Sequence, residues 1–317
     1  MTARTPDPDD RRLRPLRSPE PEPSSDPPAP VRTLPDRTRP EWHGPRPAAF
    51  VLSSGANLGA VQVGVLRALV EHSIRPDLIV GCSIGAINGA ALAQDPTMAG
   101  IEQLEQVWKT TDTRELMPRP WLPPPVALMR RGEAIHSRVG LHRLLDRALT
   151  ATTFADLDIP LQCVATDVYA GAEAWFHDGP LVEALLASAA VPAMFPSVVI
   201  DGRRYLDGAV VNDVPIRRAV ELGARTLYVL EVGPLTRSWS ESSRPLGTAI
   251  EAYWIARRHR FQRELDAVPP SVEVHLMPHG SPPRLRVSDL THSAELMTAA
   301  HAASTAYLET RQVDAPA

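Results

Sequence analysis

Short apolar runs alternate with amphipathic segments along most of the chain, and this pattern predicts both strands and helices. Runs typical of buried strands lie at 48–53, 78–80, 161–166, 226–232 and 272–276. Segments with helical spacing of apolar residues separate them, at 61–69, 86–93, 101–108, 140–149, 181–190, 246–267 and 291–308. Because strand and helix alternate throughout, the sequence favours an α/β fold with a largely parallel central sheet.

A β-hairpin is predicted in the middle of the chain. The segments 197–200 and 203–206 flank Asp201-Gly202, a dipeptide typical of two-residue hairpin turns. The hairpin would deliver Asp207 to its far end.

Two further expectations concern charged residues on helices. Asp213 is predicted to be the N-cap of the helix that follows it. On the long helix 246–267, four arginines are predicted to form a solvated face, at positions 257, 258, 260 and 263.

Composition divides the chain into a central domain and two short ends. Residues 1–47 are rich in Pro, Arg, Asp, Glu and Ser, which predicts a disordered tail, with a proline-rich docking arm as the alternative. Residues 48–310 are predicted to form one domain, and 311–317 a disordered C-terminus. With 44% hydrophobic and 22% charged residues, the chain resembles a globular protein, and its net charge of −4 does not favour nucleic-acid binding.

The compartment is predicted to be cytoplasmic. Cys82 and Cys163 lie in apolar settings and are expected to be buried thiols, not a disulfide or a zinc site. No apolar secretory signal is visible, and no run of 18 apolar residues predicts a membrane span. Residues 117–131 are apolar, broken by prolines and closed by two arginines. They fit a surface loop, a flap over an apolar groove or a shallow membrane contact.

The strongest chemical signal is the pentapeptide Gly81-Cys82-Ser83-Ile84-Gly85. It follows a buried strand and precedes a helix of small residues, which is the setting of a nucleophile elbow. A Cβ at Gly81 or Gly85 would clash across so tight a turn. The pattern predicts a nucleophilic Ser83 at the N-terminus of a helix.

A second loop, at residues 54–59, lies between the first strand and the first helix. This arrangement is typical of anion-binding corners, so phosphate, dinucleotide and oxyanion sites all fit it. The dinucleotide fingerprint is incomplete, and the second strand ends in Ser83 where that fingerprint needs an acidic residue. Beside a nucleophile, the loop amides would form an oxyanion hole.

A serine needs a base, and the sequence leaves two interpretations of Asp207. Ser83 follows only the second strand and no HGGG-type motif is present, which disfavours the usual α/β-hydrolase fold. A buried carboxylate with a raised pKa can act as the base directly, and Asp207 is the best candidate. The alternative is a turn aspartate that caps its own loop.

Taken in order, the 54–59 loop, Gly81-x-Ser83-x-Gly85 and Asp207-Gly208-Ala209 resemble the patatin-like phospholipase family. The likeness covers about residues 48–310 and includes Ala189-Ala190-Val191-Pro192 and Asp289-Leu290-Thr291-His292. It implies a three-layer domain with helices on both faces of the sheet. It also implies a serine acyl-ester hydrolase acting on lipids, similar to phospholipase A or lysophospholipase, without cofactor or metal.

The resemblance also assigns roles to residues. Ser83 would be the nucleophile and Asp207 the base of a Ser–Asp dyad. The amides of Gly55, Ala56 and Asn57 would form the oxyanion hole. Support is expected from three glycines, Gly81, Gly85 and Gly208.

The loop departs from the family pattern G-G-G-x-[RK]-G. Ser54 and Ala56 replace two glycines, and Leu58 replaces the basic residue. A weakly active or non-catalytic binding module is therefore the alternative function. An ordinary Ser-Asp-His triad would need one of three later histidines, His259, His275 or His279. The expected partner is a lipid ester, with a peripheral membrane contact as a further expectation and the oligomeric state left open.

Overall fold

The computed structural model describes residues 47–117, 134–232, 245–280 and 289–313. Within these ranges the strands are β1 Ala48–Leu52, β2 Leu78–Cys82, β3 Leu161–Asp167, β4 Ala172–Phe176, β5 Val198–Ile200, β6 Arg203–Asp207, β7 Thr226–Leu230 and β8 Glu273–Leu276. The helices are α1 Gly59–Glu71, α2 Ile84–Gln94, α3 Met98–Thr110, α4 Thr113–Leu116, α5 Val139–Ala148, α6 Leu181–Ser188, α7 Ile216–Glu221, α8 Pro245–Asp266 and α9 Ser293–Val313.

All of these strands join one sheet, and its central part is parallel. Strands β3, β2, β1, β7 and β8 lie side by side in that order, each parallel to its neighbour. Strands β4 and β6 run antiparallel to β3, and β5 runs antiparallel to β6. The predicted α/β fold with a largely parallel sheet is confirmed.

Helices cover both faces of the sheet, as the alternation of side chains along β1 shows. Val51 packs with Phe261 of α8 on one face, where α7 also lies. Phe50 packs with Leu66 of α1 on the other face, which α2, α3 and α9 also cover. The strands between these layers are almost fully buried. The three-layer arrangement is therefore as predicted.

The predicted hairpin is present with the expected turn. Strands β5 and β6 pair antiparallel, with Ile200 opposite Arg203. Asp201 and Gly202 have φ values of 49° and 74°, as a two-residue turn of the mirror-image type requires. Asp207 is the last residue of β6, so the hairpin delivers it where the sequence indicated.

The predicted cap at Asp213 is wrong. Helix α7 begins at Ile216 with Pro215 at its N-cap, and no side chain caps it. Asp213 is 2% exposed and forms an ion pair with Arg257 of α8. A buried carboxylate needs a charged or hydrogen-bonding partner, and here a tertiary partner takes precedence over the local role.

Several expectations fall partly outside the described residues. Residues 1–46 and 314–317 lie outside them, as does most of the apolar segment 117–131. The domain boundaries stay predictions. Helix α9 continues to Val313, past the predicted boundary at 310, and the Pro47 carbonyl accepts hydrogen bonds from Arg225 and Thr226. Among the described helices, none combines the length and apolarity needed to cross a bilayer.

Candidate active site

Two strands end head-on against β3, and this meeting brings distant parts of the chain together. Strand β4 pairs along one side of β3, and β2 and β6 share the other side. Strand β2 runs parallel to β3 and ends with Cys82 opposite Val164. Strand β6 runs antiparallel and ends with Asp207 opposite Ala165. Since Val164 and Ala165 are neighbours, the residue after Cys82 comes close to Asp207.

That residue, Ser83, occupies a sharp turn between β2 and α2. Its φ of 55° and ψ of −123° lie in a region that non-glycine residues rarely adopt. A Cβ at Gly81 would lie 2.7 Å from the backbone of Ala86, and at Gly85 it would lie within 2.4 Å of the Ser53 carbonyl oxygen. The turn therefore leaves no room for a side chain at either glycine.

Ser83 and Asp207 are hydrogen-bonded to each other. The Ser83 Oγ donates to Asp207 Oδ2 at 2.7 Å, and the Ala209 amide donates to Oδ1 at 2.8 Å. Asp207 is only 2% exposed, and burial raises the pKa of its carboxyl to about 6, against the lowering effect of these two hydrogen bonds. The carboxylate is thus ionised at neutral pH yet more basic than an exposed aspartate.

Ser188, which the sequence analysis did not single out, joins the elbow to β3. The Ser83 amide donates to Ser188 Oγ at 2.9 Å, and that hydroxyl donates to the Val164 carbonyl at 2.7 Å. A Cβ at Gly208 would lie 2.3 Å from the same carbonyl oxygen. Gly208 therefore allows the end of β6 to approach β3 closely, and Ser188 holds the backbone of Ser83 at the meeting point.

The 54–59 loop lies beside the elbow because β1 and β2 end at the same edge, with Leu52 opposite Gly81. Gly55 has extended backbone, and a Cβ there would lie 2.5 Å from the Val232 side chain. Ala56 adopts a φ of 50°, the left-handed region that favours glycine. Asn57 is buried, and its side chain donates to the Asp289 carbonyl at 3.0 Å. Ala56 therefore adopts a left-handed backbone conformation at a position where the family pattern has glycine.

Buried polar side chains of α1, α2 and α3 form a hydrogen-bond network that supports the two ends of the loop. Gln62 of α1 donates to the Ser53 carbonyl at 2.8 Å and accepts from Asn88 of α2 at 2.9 Å. Asn88 also donates to the Gly59 carbonyl and accepts from the Trp108 indole, both at 3.0 Å. Polar residues within apolar helix patterns, Gln62 and Asn88, are the sequence signal for this network.

The three candidate triad histidines lie elsewhere. His275 contacts Tyr307 and Glu273, and His259 is exposed on α8. Burial lowers the pKa of His279, which lines a cavity with Phe261 that includes neither Ser83 nor Asp207. In the described part of the chain, no hydrogen bond joins a histidine to Ser83 or Asp207. The geometry therefore favours a carboxylate as the partner of Ser83.

A strained serine after β2, a buried aspartate after β6 and a loop of small residues after β1 now stand together. The model of the family described as patatin-like phospholipase matches residues 50–220, which include all three. This chain belongs to the patatin-like phospholipase family.

Patatin-like relatives share moderate identity with part of this chain. The human patatin-like phospholipase domain-containing protein 6 is 30% identical over 209 residues, which cover 65% of this chain and 14% of that protein. Lysophospholipase NTE1 of Mycosarcoma maydis is 24% identical over 214 residues, covering 65% of this chain and 10% of that protein. The chain thus spans about a seventh or less of the length of these relatives.

Among solved structures, the chain is similar to that of VipD from Legionella pneumophila. The TM-score is 0.44 and the identity 12%, with 84% of this chain and 67% of that chain covered.

One expectation about charge is wrong in this patatin-like domain. Arg257, expected on a solvated face, is 7% exposed and donates from Nη2 to Ser54 Oγ at 2.6 Å. The neighbouring Arg260 is exposed, as predicted. The amphipathic pattern of α8 could not distinguish them, because the burial of Arg257 depends on Asp213, a partner on another segment.

Proposed function

We propose that this chain hydrolyses carboxylic esters of lipids, with Ser83 as nucleophile and Asp207 as general base. The observation that carries the proposal is the 2.7 Å contact between the Ser83 hydroxyl and a buried carboxylate with a pKa raised to about 6. A base of this strength is largely ionised at pH 7 and accepts a proton more readily than an exposed aspartate.

In the proposed reaction, Ser83 Oγ attacks the ester carbonyl carbon while its proton passes to Asp207 Oδ2. The tetrahedral intermediate then collapses to an acyl-serine ester. The alcohol leaves and takes the proton from Asp207. Water attacks the acyl-serine, gives a proton to Asp207 and releases the fatty acid, after which that proton returns to Ser83.

The proposed oxyanion hole is formed by the backbone amides of Gly55, Ala56 and Asn57. In the described part of the chain, the amides of Gly55 and Ala56 have no backbone acceptor. Their loop lies against the elbow, since a Cβ at Gly59 would lie 2.5 Å from the Ile84 side chain and Gly85 packs against the Ser53 carbonyl just before the loop. Donors fixed in advance beside a nucleophile stabilise developing negative charge without reorganisation.

The proposed substrates are phospholipids, lysophospholipids or neutral lipid esters. The family description and the relative named as a lysophospholipase support this class. A peripheral contact with a membrane and a cytoplasmic location remain part of the proposal.

The decisive test is Ser83→Ala, assayed with p-nitrophenyl butyrate and with lysophosphatidylcholine. The variant should lose at least about a thousandfold in rate. Among the described residues the other nucleophilic group in contact with the Asp207 carboxylate is the Cys82 thiol, which is fully buried and whose pKa burial raises, so it cannot replace Ser83. Wild-type turnover by the variant would refute the proposal.

The alternative is a binding module of the same fold, favoured by the strained Ala56 in the loop. It predicts that a fluorophosphonate probe leaves Ser83 unlabelled in the wild-type protein. Labelling that Ser83→Ala abolishes would exclude it.

A further inference from the structure

Arg257 brings a buried positive charge from α8 to the loop after β1. Its Nη2 donates to Ser54 Oγ at 2.6 Å and also pairs with the Asp213 carboxylate. The Asp213 carbonyl in turn accepts the Ser54 amide at 3.2 Å. Ser54 is therefore held through its side chain by one residue of the ion pair and through its backbone by the other.

Aromatic rings fix the guanidinium in this position. It lies 4.2 Å from the centroid of the Trp254 ring and 5.4 Å from that of Tyr253. Contacts of this kind favour a cation over an aromatic face. Burying an ion pair costs desolvation energy that its own attraction often fails to recover, so stability alone does not explain it. Such a pair more readily serves to fix a geometry.

The loop that Arg257 contacts has no basic residue of its own, since Leu58 stands where the family pattern has Arg or Lys. Ser54 immediately precedes Gly55 and Ala56, whose amides are assigned to the proposed oxyanion hole and have no backbone acceptor among the described residues. An anchor at Ser54 therefore limits the movement of both amides.

We propose that Arg257 is a positioning residue: it fixes Ser54, and through Ser54 the loop amides, beside Ser83. This inference rests on the proposed function. It gives the Arg257–Asp213 pair a role in rate, transmitted through the loop, with no contact to the substrate.

The test compares three variants with p-nitrophenyl butyrate as substrate. Ser54→Ala removes the hydroxyl that Arg257 contacts, Arg257→Gln removes the charge, and Arg260→Gln is the matched control on the exposed face of the same helix. The first two should lower kcat by about tenfold to a hundredfold, a smaller loss than that of a whole oxyanion donor, with KM within about threefold of wild type. The control should match wild type.

A rise in KM with no fall in kcat would overturn the inference. If Ser54→Ala and Arg257→Gln keep wild-type kcat while Ser83→Ala is inactive, the positioning role is wrong and the proposed function stands. If Ser83→Ala is as active as wild type, the proposed function itself fails. The two failures are therefore distinguishable.

The pH dependence of kcat/KM is a second measurement, and it should not change if Arg257 only stabilises the fold. Among the described residues, Ser83 and Cys82 contact Asp207, and Arg257, Asp213 and Tyr253 interact with it electrostatically. Burial raises the pKa of the Cys82 thiol and of Tyr253, so both stay neutral near pH 7. Arg257 lowers the pKa of Asp207 and Asp213 raises it.

Removing each member of the pair should therefore shift the acid limb of kcat/KM in opposite directions. Arg257→Gln should move it to higher pH and Asp213→Asn to lower pH. If Arg257→Gln does not fold, Arg257→Lys keeps the charge but not the planar fork, and should lower kcat with little movement of the limb. Shifts of Arg257→Gln and Asp213→Asn in the same direction would contradict the inference.

Discussion

At the scale of single residues, the site depends on the environment of Asp207. The carboxylate accepts hydrogen bonds from Ser83 and the Ala209 amide, both of which favour its ionised form. Burial opposes them and prevails, so its pKa is raised from 3.8 to about 6. The two effects together leave a base that is ionised at neutral pH and still able to take a proton.

The pH dependence of the proposed reaction should report the pKa of Asp207. Because only ionised Asp207 can accept the Ser83 proton, kcat/KM is expected to fall about tenfold per pH unit below pH 6. Initial rates with p-nitrophenyl butyrate between pH 4.5 and 8.5 measure it. A profile that stays flat down to pH 5 would exclude Asp207 as the base.

Asp207→Asn should lose activity and gain stability. Activity should fall at least about a hundredfold, because an amide cannot accept the proton. Because burial disfavours the ionised carboxylate, the folded protein binds this proton more tightly than the unfolded chain does, and wild-type stability declines as the pH rises from about 4 to 6. The amide avoids this cost of about 3 kcal/mol, and the variant should be more stable at pH 8 but not at pH 4.

Urea unfolding at pH 4 and pH 8 measures this difference. Asp201→Asn, at the exposed hairpin turn, is the matched control: it keeps Asp207, so its stability should decline with pH as that of wild type does. A variant less stable than wild type at pH 8 would contradict the linkage between burial and the raised pKa.

At the scale of elements, close backbone contacts position the site and the helices around it. Helix α1 carries Gln62, which supports the loop, and crosses α9 at Gly64. A Cβ at Gly64 would lie 2.2 Å from the Met297 carbonyl oxygen, which belongs to the α9 backbone. The two helices can approach this closely only with glycine there.

Gly64→Ala is therefore expected to destabilise the protein by about 1–3 kcal/mol, since a whole helix must move to admit one methyl group. Gly89→Ala on α2 is the contrasting variant, because the nearest atom to its Cβ, at 2.8 Å, is the Cγ2 methyl group of Ile79, a side-chain atom and not backbone. Its steric cost should be offset by the better helix propensity of alanine. Thermal unfolding compares them, and equal losses would refute the helix-crossing explanation.

The sequence predicted those elements whose signals are local. The turn at Asp201-Gly202 and the buried strand before Ser83 were predicted from residue pattern, and family resemblance added the pairing of Ser83 with Asp207. Arg257 and Ser188 were missed, because their roles depend on partners brought close by the fold. For Ser188, a hydroxyl at the end of a helix of mostly apolar residues was the available signal.

At the scale of the whole molecule, the sheet continues well beyond the part that matches the family. The match ends at residue 220, yet β7 follows and pairs with the whole length of β1. Strand β1 leads directly into the proposed oxyanion loop. The later strands and helices are thus part of the support for the site.

A chain shortened to end at Leu222 should fail to fold cooperatively. It would lose β7, β8, α8 and α9 and leave one edge of β1 unpaired and its apolar neighbours exposed.

Removal of residues 1–44, predicted to be a disordered tail, should leave the melting temperature within about 2 °C, since few contacts are expected there. Circular dichroism melting curves compare the two, and a cooperative transition in the first would be contrary to expectation.

The head-on meeting of β2 and β6 against β3 has a consequence for how such a protein could diversify. The partners of Cys82 and Asp207 on β3 are one residue apart, a rise of about 3.3 Å, and this spacing sets the separation of Ser83 from Asp207. Exchanging peripheral helices or loops leaves that spacing unchanged, so substrate specificity can change while Ser83 and Asp207 stay in contact. An inserted residue within β3 would separate Ser83 from Asp207 and should abolish the proposed activity.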